Sequence, residues 1–204
     1  MTDRARTPRP VLVADVERLA AGAAQGEPYA RLELAHATAA AVVEAGRAAY
    51  DGDDRMLRLA ETVGLDTLSQ LWRDASPDTL PGALWTLYVL RTWCLNHGEE
   101  VARLYRAGRG LAPVDEVVAG VHDDADPHAV ASLTDSVLTG LYGGDLAVAL
   151  ERGAAFFRVV AAGREHLAAD GPAGADELRR AERNRSCADS LQRAARGWRA
   201  GTLH

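Results

Sequence analysis

Glu33-Leu34-Ala35-His36 sets a carboxylate and an imidazole three residues apart. On a helix that spacing projects both side chains from one face, as di-iron carboxylate bundles require. Those bundles use the pair twice, with two further glutamates, and no second Glu-x-x-His occurs in this chain. A single copy is also what a surface helix carries by chance. A second group of donors lies at His122-Asp123-Asp124-Ala125-Asp126-Pro127-His128. Its imidazoles and carboxylates suit a divalent metal, so His122, Asp124 and His128 join Glu33 and His36 as candidate ligands. The loop lacks the glycine and distal glutamate of a calcium loop. Acids just ahead of a helix are also favoured by the helix dipole. A solvated loop that caps a helix is the plainer expectation, and no cofactor is expected.

A different chemistry is offered by Trp85, Tyr88, Arg91 and Trp93, close together in an otherwise apolar stretch. Aromatic walls with one cation describe an apolar ligand pocket with an anion anchor. Arg91 has no apolar role there; it either snorkels outward or pairs with a carboxylate. Residues 59–73 begin like a helix-turn-helix, with Ala60 and Gly64 in place. Gln70 and Arg73 then fall where that motif buries apolar residues. Asp66 and Asp74 stand against one arginine in the would-be recognition helix, which argues against reading DNA. Near the C-terminus, Arg179, Arg180, Arg183, Arg193 and Arg196 form a partner-surface candidate. The helix that carries them has a seam of Leu178, Ala181, Ala188, Leu191, Ala195 and Trp198, read as broken by Arg185. The alternative is a solvated face, or a helix docked on the acidic residues 111–170. No phosphate loop, dinucleotide glycine pattern, nucleophile elbow or paired-cysteine zinc spacing occurs.

The elements that must position these residues are all helical. Residues 79–96 are apolar at nearly every angle, and eighteen residues span about 27 Å. A helix apolar all round is buried or spans a membrane. Arg91, Thr86 and Thr92 interrupt it too soon for a span of roughly 20 apolar residues. Asp78 or Thr79 can cap it, and Pro81 suits its first turn. Asn96 and Glu99 have capping-box spacing, and Gly98 marks a break before an amphipathic helix to Arg109. Before it, helices are expected over 11–24, 29–50, 54–63 and 65–75. After it, one or two turns are expected over 114–121, then helices from Asp126-Pro127, from Asp145 to residue 169, and over 175–200. No alternating strand pattern and no repeat is present.

The expectation is an all-α protein of eight or nine helices around a buried central helix at about 79–96. Residues 1–9 are read as a disordered tail and residues 10–204 as one domain, with 175–200 a charged C-terminal helix.

The composition narrows function. The net charge of −6 argues against general nucleic-acid binding. Residues 111–170 carry ten acids and three arginines, residues 171–204 four acids and seven arginines. All 23 basic residues are arginine, which with abundant alanine and glycine marks a GC-rich genome. Cys94 and Cys187 form no ligand-like spacing, and nothing resembles a signal peptide, so a cytoplasmic compartment is expected. The leading expectation is a non-enzymatic bundle that binds another protein or a second copy of itself. The alternative is a sensor-like protein that holds a small apolar ligand. A ferritin-like metal protein and a nucleic-acid-binding regulator stand behind these, and no membrane partner is expected.

Overall fold

The computed structural model describes residues 28–48, 65–121, 125–143, 145–168 and 174–203. The expected tail, the helices expected over 11–24 and 54–63, and His122, Asp123 and Asp124 lie outside them. Among the described residues there are eight helices and no strand. They are α1 (Pro28–Ala48), α2 (Leu65–Trp72), α3 (Leu80–Asn96), α4 (Gly98–Arg109), α5 (Pro113–Ala119), α6 (Pro127–Gly143), α7 (Leu146–Ala168) and α8 (Gly174–Arg199). No helix among them is long and apolar enough to cross a membrane.

Side-chain caps set three of the eight described starts. Thr79 caps α3 by accepting from the Gly82 N–H at 3.5 Å, and proline occupies the first turn. Asp126 accepts from the Ala129 N–H at 2.7 Å and Asp145 from the Ala147 N–H at 2.8 Å, starting α6 and α7. Gly120 ends α5 at φ 76°, a left-handed conformation that suits glycine. The α3–α4 junction differs from expectation. Asn96 is still the last residue of α3, so the turn falls on His97 (φ −131°, ψ 35°), and no side chain caps α4. The capping box expected between Asn96 and Glu99 is therefore not formed.

One set of buried apolar side chains runs through all the helices, from Ala35 and Val43 on α1 to Leu191 on α8. Leu84, Leu87 and Leu90 of α3 are buried in it, yet Val89 and Leu95 are 41% and 50% exposed, so α3 keeps an open edge. α7 is the more enclosed helix. It packs against α8, α4, α5 and α6. Its small residues are the reason. At Gly163 the Leu104 carbonyl of α4 lies so close that an added Cβ would overlap it, and Gly108 of α4 meets Val159 of α7 in the same way.

The charge split between 111–170 and 171–204 is bridged in part within the chain, and Arg193 of the last helix reaches a third acid, Asp78, outside both segments. Arg199 of α8 binds Glu151 of α7 at 2.7 Å, and Arg185 binds Glu165 at 2.6 Å. Arg193 is bidentate on Asp78 at 2.9 and 3.1 Å. The Arg199 guanidinium holds the Glu151 carboxyl below its ordinary 4.5, and the Arg193 guanidinium holds Asp78 below 3.8. Both pKa values are lowered on folding. Their contribution is therefore complete above the ordinary values and is lost as pH falls through the lowered ones. On an acid titration followed by urea midpoints, the wild type should lose stability more steeply than an Arg193→Ala, Arg199→Ala variant. Parallel acid limbs would show that these pairs do not lock α8 down.

Candidate functional site

One face of α8 presents Arg180, Arg183, Asn184 and Cys187, the spacing that aligns side chains over two turns. Opposite stand Val89, Leu90 and Trp93 of α3, with His97 at its end, then Glu100 of α4 and Phe157 and Arg164 of α7. Together they enclose an open cleft of about 360 Å³, at the small end of the range for ligand sites.

Arg164 is the charged centre of this cleft. It is 5% exposed. Its guanidinium donates to Glu177 at 2.6 Å and to Glu100 at 3.2 Å, and lies 5.4 Å from the centre of the Trp93 ring. The second oxygen of Glu177 accepts from Arg180 at 3.2 Å. Two of the three arginines are thus held by carboxylates. Arg183 has no carboxylate partner among the described residues. Beside it Asn184 is 9% exposed, and its amide has no hydrogen-bond partner among the described residues. The fully buried side-chain polar atoms without a partner among the described residues are His36 Nδ1, the Tyr105 hydroxyl and, in this cleft, Arg164 Nε; the Asn184 amide is not one of them and keeps access to the cleft. Burial pushes the Cys187 thiol up, and that of Cys94 to about 12, so neither is an activated nucleophile.

The expected pocket residues are dispersed around α3. Trp93 lines the cleft. Trp85 packs on the core, and Tyr88 is buried against Trp72 with ring centres 6.0 Å apart. Arg91 turns to Asp135 on α6 at 2.6 Å, so the carboxylate-pairing alternative holds for it and the anion-anchor role does not. Among the expected partner-surface arginines, Arg179 pairs with Asp176, Arg180 with Glu177 and Arg193 with Asp78. Arg183 and Arg196 have no ion pair among the described residues. The polar member of the α8 seam is Asn184, not Arg185, which lies outside it on Glu165.

The metal candidates do not assemble. Among the described residues no three histidine, cysteine or acidic side chains are grouped for a metal. Glu33 is exposed, and His36 lines an apolar cavity of about 440 Å³ with Val43, Glu44, Leu80 and Trp198. His128 is exposed, while His122 and Asp124 lie outside the described residues. For residues 59–73, Leu71 and Trp72 are core and Gln70 and Arg73 exposed; residues 59–64 lie outside the described set.

Sequence reasoning missed Arg164 and Asn184. A signal existed for each: an arginine inside the apolar run of α7, as noted for Arg91 in α3, and an asparagine three residues after Ala181 and four before Ala188.

A second surface feature lies on α5. Val114, Val117 and Val118 follow at spacings that stack on one helix face, with Leu111 in the turn before the helix, and all are exposed, Val114 at 76% and Val117 at 81%. The polar Asp115 is turned inward instead, to Arg158 of α7 at 3.4 Å. No family model, no curated protein and no solved structure matches this chain.

Proposed function

We propose that this chain is a non-enzymatic, cytoplasmic one-domain helical protein that acts by contact with another protein, a partner or a second copy of itself. The observation that carries the reading is the inverted packing of α5, with valines outward and a carboxylate inward. A short helix gains nothing from displaying a row of valines to water. Contiguous exposed apolar patches on soluble proteins mark contact surfaces. The patch itself is uncharged, so a second copy meeting it across a two-fold axis needs no matched charges. In this reading α3, alongside α7, is the buried axis of the domain, and α5 is its working edge. The pairing of Arg179, Arg180 and Arg193 within the chain favours an apolar partner over nucleic acid.

The test is size-exclusion with light scattering across protein concentration and at two salt concentrations. Association should survive high salt, because it is apolar. Val114→Glu, Val117→Glu should weaken it roughly a hundredfold, the effect of losing two buried valines. The circular dichroism of the monomer should not change, since both side chains are already exposed. A wild type that stays monomeric, and captures no protein that the double variant fails to capture, sinks the proposal.

A further inference from the structure

We propose that the cleft bounded by Trp93, Phe157, Arg183 and Asn184 binds a small organic acid, a monocarboxylate with an aromatic or aliphatic body. This site is independent of the α5 surface. Three observations define the ligand. The floor is apolar: Val89, Leu90, Trp93 and Phe157 offer a surface for a hydrocarbon or aryl group. The charge is nearly balanced. Arg164 and Arg180 are held by Glu100 and Glu177, so three arginines face two glutamates and the excess is one positive charge, that of Arg183. A single carboxylate suits that balance, and a doubly charged phosphate would meet Glu100 without a second free cation. Finally, Asn184 is 9% exposed with an unpartnered amide, adjacent in sequence to Arg183 and in the same cleft wall.

A carboxylate seated at this end of the cleft accepts from the Arg183 guanidinium and from the Asn184 side-chain N–H. The body of the ligand then lies on Trp93. Arg164 does not contact the ligand in this scheme. It is a positioning residue: stacked on Trp93 and clamped by Glu100 of α4 and Glu177 of α8, it fixes the ring that forms the floor and the spacing of the walls. Arg183 is exposed and does not hold the fold. It can therefore be changed without disturbing the core.

The experiment is calorimetric titration of the full chain with three probes: 4-phenylbutyrate, its uncharged twin 4-phenylbutanol, and inorganic phosphate. The expected result is binding of 4-phenylbutyrate with a Kd on the order of 1 mM. The alcohol should bind at least about tenfold more weakly, and Arg183→Gln should cost about tenfold or more for the acid but not for the alcohol. Asn184→Ala should weaken the acid as well. Bound acid should also slow alkylation of Cys187, which lines the same cleft. Four results overturn the proposal: no binding of the acid, equal binding of acid and alcohol, binding of phosphate alone, or an Arg183→Gln variant that binds the acid as the wild type does. Circular dichroism of both variants checks that they are folded, and Arg183→Gln keeps the test decisive should Asn184→Ala not fold.

Discussion

Gly163→Ala should destabilise the protein by about 3 kcal/mol, the upper part of the range for over-filling a packed contact. In a chain of this length that is a fall in Tm of roughly 6–12 °C. Alanine is ordinarily the better helix residue, by about 1 kcal/mol over glycine. Here the sign reverses because the obstacle is backbone. A Cβ on Gly163 would overlap the Leu104 carbonyl oxygen of α4, and its next neighbour would be the Gly108 amide nitrogen. Neither can rotate away as a side chain can. α4 and α7 would have to separate, and the wall that carries Glu100 would move with them. Gly108→Ala should behave alike, since its Cβ would overlap the Val159 carbonyl. Gly110 supplies the control. Nothing lies within 4 Å of its added Cβ and its φ is −68°, so Gly110→Ala should be neutral or slightly stabilising. Urea unfolding of the three variants measures this directly. Equal stability of Gly163→Ala and wild type would mean that the crossing is looser than described.

Trp72→Ala should cost about 4 kcal/mol, in the range for deleting a buried aromatic side chain. Trp72 is 0% exposed, packs on Tyr88 of α3, and donates its indole N–H to the Thr38 hydroxyl of α1 at 3.1 Å. The Thr38 hydroxyl in turn donates within its own helix, to the Leu34 carbonyl at 2.8 Å. One side chain thus joins α1, α2 and α3. Trp72→Phe separates the two contributions. It keeps most of the apolar volume and removes the hydrogen bond, worth about 1 kcal/mol. A Phe variant as unstable as the Ala variant would show that the hydrogen bond, not the volume, holds α1 in place. An Ala variant with wild-type stability would mean that α1 and α2 contribute little to the cooperative fold.

Among the described residues, local pattern alone was enough to place the helices, and for three of them the capping residue that starts them. Thr79, Asp126 and Asp145 cap as their types and positions predict, and the apolar periodicity places α3, α6, α7 and α8 within a few residues. Helix formation is local: bonds reach four residues, and a cap satisfies N–H groups within one turn. Which face meets which is a matter of packing, and the chain's local pattern leaves it open. Arg91 and Arg164 are both arginines in apolar helices. One goes to Asp135 on α6, the other to Glu100, 64 residues away, where it stacks on Trp93 and builds a cleft. No local pattern separates those outcomes, because the choice of carboxylate depends on how α7 lies against α3 and α4. The same holds for α5, where Val114, Val117 and Val118 on one side and Asp115 and Glu116 on the other allow either side to point inward. The Arg158 guanidinium on α7 selected Asp115 and left the valines outside.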